Sequence, residues 1–229
     1  MKKSNKLLLG GFSAGILFIT AMHLTIYAKY KSGDYSTFNI EDELGSYAMQ
    51  SFPHILFVSV RNVPDATVKF GDVAQVQKDE EAIQYVQKGD TLLITGSDST
   101  HQKNIRQPVI FNVPYNAILS VFNSSLSFKA GKKTAENNPV IYLQKSQCLF
   151  SEDSDLLQFG HMKVMASDSS GVAFHGNTQV NDLDVQLSNS SMEYMDGNLG
   201  QLSILTDPVS RISLQSKHLA KTKVTTKPN

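Results

Sequence analysis

The sequence predicts an all-β protein: a parallel β-solenoid with rungs of about 20 residues, preceded by one N-terminal transmembrane helix. Two observations predict it, an internal repeat of short apolar segments in the second half and an uncharged N-terminal stretch. We divide the 229-residue chain into five segments. They are a basic cytoplasmic segment (1–6), a transmembrane signal anchor (7–28), a juxtamembrane linker (29–51), a β-helix domain (52–216) and a disordered basic tail (217–229).

The charge balance narrows the function classes. The chain carries 21 Lys and Arg residues against 21 Asp and Glu residues, so no basic excess is available to neutralise nucleic acid. Charged residues make up 18% of the chain, below the roughly 25% of an average globular protein, which favours sheets with polar faces over charge-rich helices. A single cysteine excludes an intramolecular disulfide framework and a zinc site built on several cysteines.

The stretch from Leu7 to Ala28 predicts a membrane anchor. It contains no Lys, Arg, Asp or Glu and lies between lysines on both sides. As a helix it reaches about 33 Å, enough to cross a hydrocarbon core of about 30 Å. The alternative is a cleaved signal peptide, but the apolar region of such peptides is about 7 to 15 residues long and ends in a small-x-small site, which is lacking here. We therefore expect an uncleaved signal anchor with its N-terminus inside.

Short strands are predicted after the linker. Residues 55–60, 67–70, 91–95 and 109–113 are rich in β-branched and aromatic side chains and are bounded by turn residues. No stretch after residue 50 keeps a helical apolar period over ten residues. This pattern is typical of an all-β domain.

An internal repeat predicts how the later strands stack. Two inward apolar positions recur in five segments with steps of 22, 24, 20 and 20 residues. The first position holds Leu126, Cys148, Val172, Met192 and Ile212, and the second holds Phe128, Phe150, Phe174, Tyr194 and Leu214. An alternating pair precedes each segment: Leu119/Val121, Ile141/Leu143, Val164/Ala166, Val185/Leu187 and Leu202/Ile204. A unit with so few apolar side chains cannot bury its own face, so the units must stack as rungs.

The turns inside the rungs are predicted to be structural corners. Asn and Ser recur at 123–125 and 188–191, where their side chains can bond to the backbone. Asn123 and Asn189 also satisfy the Asn-x-Ser/Thr pattern, but their place on repeated corners favours a turn role. Cys148 falls on an inward position, which predicts a buried and unreactive thiol.

The order of these segments resembles a known family. The likeness rests on the strand at 55–60, the segment 68–71, the Gly-Asp-Thr-Leu turn and strand at 89–94, and the strand at 109–114 that leads into the rungs. Over roughly residues 52–215 the chain looks like the head GIN domain family of auto-transporter adhesins, which are exported bacterial proteins. The resemblance implies a right-handed parallel β-helix outside the cytoplasm, with no established catalytic or ligand residues. The chain departs from the family's common Ser-Gly corners and in its predicted anchor.

The sequence lacks motifs for catalysis or metal binding. It contains no GxSxG, Walker, HExxH, EF-hand or CxxC pattern, so we expect no enzyme, no cofactor and no metal, and the binding residues stay unknown. His161 and His175 flank one rung and could approach each other with Asp168. Exposed loop histidines are the favoured interpretation.

An acidic cluster leaves an enzymatic alternative open. Glu152, Asp153 and Asp155 lie together at a rung corner, and grouped carboxylates on a β-helix suit a calcium ion. Polysaccharide cleavage at such a site also needs a cationic base, and the arginines are scattered through the sequence. A solvated acidic corner is therefore the favoured interpretation.

We expect a membrane-anchored, exported and non-enzymatic binding or adhesion module. Its β-domain would lie outside the cytoplasm, in the periplasm or at the cell surface, and present polar ladders to an unknown envelope protein or glycan. Membrane contact would come from residues 7–28, and no nucleic acid is expected. Two alternatives stay open: a carbohydrate-active β-helix enzyme that uses the acidic corner, and an envelope scaffold that forms homo-oligomers through solenoid faces or the Gly11/Gly15 helix surface.

Overall fold

The computed structural model divides the chain into two compact units, Met1–Ser46 and Tyr47–Asn229. In the first unit the structure describes residues 12, 15, 16, 18–25, 27 and 31. In the second it describes residues 48–78, 83–96, 109–129 and 138–227, without the side chains of 152–155.

The described residues of the first unit are helical and lie between Phe12 and Lys31. Within the described part of the chain, no helix combines the length and the apolar character needed to cross a membrane. The anchor predicted over 7–28 falls in part on residues outside this description, so it stays a prediction.

The second unit is all-β, as predicted. Its described residues form 16 strands and one short helix, α1, at Ser216–Leu219. All 16 strands are joined by hydrogen bonds, because the long strands run from one stack of the sheet into the next. The strands are β1 (Met49–Phe52), β2 (Phe57–Arg61), β3 (Ala66–Gly71), β4 (Ala74–Gln77), β5 (Ile83–Lys88), β6 (Thr91–Gly96), β7 (Val109–Pro114), β8 (Ile118–Phe122), β9 (Ser125–Lys129), β10 (Val140–Gln144), β11 (Gln147–Ser167), β12 (Gly171–Ser188), β13 (Ser191–Tyr194), β14 (Asn198–Thr206), β15 (Arg211–Leu214) and β16 (Thr222–Thr226). The first three residues of β1 lie in the segment predicted as a linker, and Phe52 begins the predicted β-domain.

Two long parallel stacks of strands enclose one core. Sheet A consists of β6, β2, β8, β10, the end of β11, the end of β12, β14 and β16, in that order. Sheet B consists of β7, β3, β9, the start of β11, the start of β12, β13 and β15. A shorter stack, sheet C, joins the middle of β11 and of β12 to the start of β14. From β8 onward, each rung passes from sheet A through a turn into sheet B, which makes the domain a parallel β-solenoid, as the repeat predicts.

Strand pairing follows the predicted repeat with one exception. In sheet B the inward residues are consecutive partners along both predicted series, the first being Leu126, Cys148, Val172, Met192 and Ile212. In sheet A the last predicted pair, Leu202 and Ile204, faces inward as predicted but is out of register with the pairs before it. Ile204 is the partner of Val185, so the inward positions of β14 shift by two residues and include Thr206, which is buried. Leu202 lies beside Leu183, one inward position earlier along the strands.

The rungs at the N-terminal end do not stack in chain order. Rung β2–β3 lies between rung β6–β7, which follows it in the sequence, and rung β8–β9. Antiparallel strands finish this end, because β5 pairs with β6 while β4 and then β1 extend sheet B beyond β7. We call β1, β4 and β5 the N-terminal cap. It covers edges that the parallel stacks would otherwise leave open.

Aromatic rings stack through the core on the sheet B side. Phe128, Phe150, Phe174 and Tyr194 follow one another with centroids 4.4, 4.7 and 5.0 Å apart, and their planes are nearly parallel. All four side chains are fully buried. Burial of each large apolar side chain contributes about 1.5–3 kcal/mol, so this ladder is a main source of rung stability. His218 of α1 covers its end and meets Tyr194 edge-on at 4.9 Å.

The C-terminal segment differs from the disorder predicted for 217–229. Its described residues form α1 and β16, and β16 pairs in parallel with β14. The basic and Thr-rich composition suggested disorder, but four of the five residues of β16 are Thr or Val, which are β-branched and favour a strand.

Candidate functional site

The turns from sheet A to sheet B carry four buried serines, Ser124, Ser146, Ser170 and Ser190, which we call the corner serines. Each hydroxyl donates to a carbonyl of its own turn, as Ser146 Oγ does to Gln144 O at 2.8 Å. Between rungs, the N–H groups of Ser124 and Ser146 donate to the hydroxyls of Ser146 and Ser170, each at 3.2 Å. The backbone therefore uses these hydroxyls, which is the structural role that the sequence predicts for the corners.

The corner asparagines have the turn role that the sequence predicts. Asn123 and Asn189 have φ values of 47° and 48°, in the left-handed region that Asn adopts more readily than most residues. The side-chain amide of Asn123 donates to Asn62 Oδ1 of the neighbouring corner at 3.0 Å. These contacts explain the asparagines without a ligand.

A carboxylate holds the last corner. Asp207 Oδ1 accepts the Ser210 hydroxyl at 2.6 Å and the Ser210 N–H at 2.9 Å, and Asp207 Oδ2 accepts the Asn189 N–H at 2.7 Å. The hydrogen bond from the Ser210 hydroxyl, followed by those from backbone N–H groups, holds the pKa of Asp207 below its ordinary value. Asp207 is thus a turn residue.

The candidate cluster of His161, His175 and Asp168 does not form one site. His161 Nε2 lies 3.5 Å from Asp184 Oδ2, and His175 Nε2 lies 3.5 Å from Glu193 Oε1. Asp168 accepts an amide hydrogen bond at a corner, so each of the three has a separate partner. Among the residues whose side chains are described, no three His, Cys, Asp or Glu residues could hold a metal ion together.

The three residues of the acidic cluster, Glu152, Asp153 and Asp155, belong to strand β11. Pairing between β11 and β12 shifts between Glu152 and Leu157, so the cluster sits at an irregularity. The side chains of residues 152–155, which include Asp153 and Asp155, lie outside the description. The calcium site and the enzyme alternative therefore stay predictions.

Cys148 has the buried position that the repeat predicts. Its side chain is 2% exposed, on the inward face of sheet B. Burial raises the pKa of the thiol, which disfavours the reactive thiolate.

The outer face of sheet A carries a groove of about 320 Å³, which we call the sheet A groove. Two adjacent rows of outward side chains line it, since alternate residues of a strand point to the same side. One row is Ser120, Tyr142, Met165 and Gln186, and the other is Phe122, Gln144, Ser167 and Ser188. Among the described residues that line it, Lys227 alone carries a charge.

Tyr142 provides the most exposed aromatic surface of the groove, with 43% of the residue exposed. Its partner on β8 is the small residue Ser120, which leaves space beside the ring. The Gln144 amide donates to Asp168 Oδ2 at 2.6 Å, and this bond orients the amide plane. A ring among amides and hydroxyls offers apolar contact together with hydrogen-bond donors and acceptors, a combination that suits an uncharged polar ligand.

The sheet A groove is not among the features that the sequence predicts. Polar residues between inward apolar ones are the ordinary pattern of an outer strand face, so Tyr142 and Gln144 carried no separate signal. Reading across the repeat could have found them. The outward residue between the two inward positions of each sheet A strand gives the first row of the groove directly.

No protein-family model matches the chain, and no curated protein matches it. Among solved structures, the chain is similar to a crystal structure described as a putative adhesin from Parabacteroides distasonis. The two are 15% identical with a TM-score of 0.21, over 80% of this chain and 94% of that chain. A likeness this slight assigns neither family nor function, so the head GIN resemblance stays a prediction.

Proposed function

We propose that this chain is a non-enzymatic binding module that holds its ligand in the sheet A groove. The observation that carries the proposal is the half-exposed ring of Tyr142, which lies among hydroxyls and amides on paired strands. Strands that are hydrogen-bonded on both sides hold these groups in place before a ligand arrives, which lowers the entropy cost of binding.

The ligand class follows from the charge of the groove. Its lining has one charged side chain, Lys227, and otherwise offers amides, hydroxyls and apolar surface. A cationic ligand would lose hydration there without gaining an opposite charge, and an anionic one would find a single lysine at one end, whereas an uncharged polar ligand would exchange water for equivalent hydrogen bonds along both rows. We therefore propose an envelope glycan, with an uncharged segment of an envelope protein as the alternative.

The proposed location is the cell membrane, with the β-domain outside the cytoplasm, in the periplasm or at the surface. Support comes from the uncharged stretch at 7–28 and the lysines that precede it. In this arrangement the solenoid presents its outer faces to the envelope while the N-terminal helix holds it at the membrane.

The test is a screen of neutral and acidic glycans against the detergent-solubilised full chain and two variants. Tyr142→Ala removes the ring of the groove. Phe57→Ala is the matched control, because Phe57 is 40% exposed on the same sheet but lies outside the groove lining. We expect binding of a neutral glycan that weakens about tenfold or more in Tyr142→Ala, about 1.4 kcal/mol, and stays within about twofold in Phe57→Ala. Equal loss in both variants, or turnover of the bound glycan, would overturn the proposal.

A further inference from the structure

The two ends of the solenoid are finished differently. At the N-terminal end, the N-terminal cap pairs with β6 and β7. At the other end of sheet A, β16 pairs with β14 on one side and with no second strand among the described residues. An unpaired strand edge is a template on which another extended chain can add.

Two hydrogen bonds fix which backbone groups of β16 face this open edge. The Leu202 N–H donates to Lys221 O at 3.0 Å, and the Lys227 N–H donates to Thr206 O at 2.8 Å. Because alternate residues of a strand bond to the same neighbour, every second residue from Lys221 to Lys227 bonds to β14. The residues between them turn their N–H and C=O groups to the open edge: Thr222, Val224 and Thr226.

The core is also uncovered at this edge. Val224 is the partner of buried Ile204, so its side chain points inward. It is nevertheless 51% exposed, whereas Val185, an inward residue of a middle rung, is 1% exposed. Helix α1 covers the aromatic ladder through His218 but leaves Val224 open. A strand added to β16 would bury the Val224 side chain and satisfy the free backbone groups.

The charge of this end selects the kind of strand. No Asp or Glu follows Asp207 in the sequence, although the whole chain is balanced. Four lysines lie in or beside α1 and β16: Lys217, Lys221, Lys223 and Lys227. All four are exposed, and the Lys221 ammonium also donates to Leu199 O at 2.8 Å.

A second copy of this chain fits the edge poorly. Antiparallel pairing of two copies around Val224 would set Lys221 opposite Lys227 twice, and like charges placed opposite each other destabilise a strand pair. Lysines on an edge strand are a known means of preventing self-pairing. A strand that carries carboxylates beside Lys223 would instead be attracted.

We infer that the open edge of β16 binds an extended acidic segment of a partner protein by strand addition. Backbone groups of Thr222, Val224 and Thr226 supply the hydrogen bonds. An apolar residue of the partner covers Val224, and its carboxylates lie beside Lys223. This site adjoins the sheet A groove, whose lining includes Lys227, but it uses the edge of β16 and does not depend on the proposed function.

The probe is a fluorescent synthetic peptide that alternates Val and Glu, titrated into the detergent-solubilised full chain. A peptide that alternates Val and Lys is its charge counterpart. We expect the Glu peptide to bind at least about tenfold more tightly than the Lys peptide. Its binding should weaken in about 0.5 M salt, because exposed charges are then screened within a few ångströms.

Three variants distinguish the contribution of backbone pairing at the edge of β16 from that of the lysine charges. Val224→Pro removes one edge N–H at a position where an edge strand tolerates proline, and should weaken Glu-peptide binding about tenfold or more. Thr225→Ala is the matched control, because its backbone bonds to β14, and should bind unchanged. Lys223→Glu keeps the edge and should reduce the preference for the Glu peptide, since it places a carboxylate beside the bound strand while Lys217, Lys221 and Lys227 remain. Melting curves establish that each variant is folded.

Three outcomes overturn the inference. The first is that neither peptide binds, or that binding survives Val224→Pro in a folded protein. The second is a concentration-dependent dimer that Val224→Pro abolishes, which would assign the edge to a second copy. The third is binding to phosphatidylserine vesicles without binding to the Glu peptide, which would assign the basic end to a membrane surface.

Discussion

From β8 to β15, each rung after β8–β9 lies on the rung that precedes it in the chain, whereas from β1 to β7 the stacking order departs from the chain order. In the first region, which we call the array, strand partners are separated by one repeat. In the second, which we call the N-terminal region, β2 has as neighbours β6 and β8, two strands that come later in the chain. Both regions use the same inward and outward alternation, so they differ in which strands meet rather than in how a strand packs.

This difference shows where long-range contacts decide the fold. In the array, a repeated spacing leads each rung onto the next, and the aromatic ladder and the corner serines run through it. The serine ladder ends where the N-terminal region begins, since the corresponding corner of rung β2–β3 carries Val63, whose N–H donates to Ser124 Oγ at 3.0 Å. The N-terminal region instead finishes the stack with the antiparallel N-terminal cap.

The largest expected loss of stability comes from a charge placed inside the core of the array. Val185 lies between Val164 and Ile204 on sheet A and is 1% exposed. Val185→Asp would bury an unpaired carboxylate at a cost of several kcal/mol, a large part of the roughly 5–15 kcal/mol that stabilises a domain. We expect loss of the cooperative melting transition in circular dichroism. Gln186→Asp, on the outward side, is the control, and equal melting of the two variants would contradict the assigned faces.

A charge in the N-terminal region should have a more local effect. Val58 is 1% exposed on β2, between Leu92 of β6 and Leu119 of β8. Val58→Asp should release β6 and the N-terminal cap, while β10 to β14 keep neighbours on both sides. In hydrogen exchange we expect fast exchange for residues 83–96 and slow exchange for residues 163–187. Equally fast hydrogen exchange in both segments would show that the array does not stay folded without the N-terminal region.

Removal of a corner serine should cause a smaller loss of stability, which arises within the array. Ser146→Ala leaves the Ser124 N–H without its acceptor inside the corner, and such a loss costs about 1–3 kcal/mol. We expect a lower melting temperature and a lower free energy of unfolding in denaturant titrations. Ser120→Ala, on the exposed outer face, should match the unchanged protein. If both variants melt alike, the serine ladder does not stabilise the rungs.

The smallest effect is a pH dependence at the C-terminal end. Burial, followed by the charges of Lys217 and Lys221, lowers the pKa of His218 below its ordinary value, and its buried Nε2 has no hydrogen-bond partner. The fold therefore favours neutral His218. The contribution of His218 to the free energy of unfolding is complete above pH about 6.5, and it is lost as the pH falls toward the lowered pKa. Asp207 also has a lowered pKa, but its contribution is lost only at more acidic pH, as the pH falls through that lowered value.

The measurement compares melting temperatures at pH about 7.5 and about 5 in the unchanged protein and in His218→Phe. Phe keeps a ring against Tyr194 and removes both the titration and the unpaired nitrogen. We expect a smaller decrease in His218→Phe, and equal decreases would place the pH dependence elsewhere.

The same contrast explains how much the sequence could predict. The register of sheet B was predictable, because its two inward positions recur with the same steps from Leu126 to Ile212 and from Phe128 to Leu214. The last pair in sheet A was not, since Leu202 and Ile204 both look inward in an alternating segment and only their partners separate them. The stacking order of β6, β2 and β8 could not be predicted from the sequence, because pairing between distant strands depends on contacts that no local pattern encodes. The sheet A groove lies across β8, β10, β11 and β12, and it was missed because each strand alone shows only the ordinary alternation of an outer face.

The stacking order can be tested directly by disulfide formation. Ser59 of β2 pairs in register with Ser120 of β8, so their Cα atoms lie one strand spacing apart, about 4.8 Å, while Leu93 of β6 lies beyond β2, about 9.6 Å from Ser120. A disulfide needs Cα atoms within about 7 Å. The structure predicts that mild oxidation links Ser59→Cys to Ser120→Cys and leaves Leu93→Cys with Ser120→Cys unlinked, as read by mass spectrometry of non-reduced peptides. A link in the second pair and none in the first would show that the rungs stack in chain order and would contradict this fold.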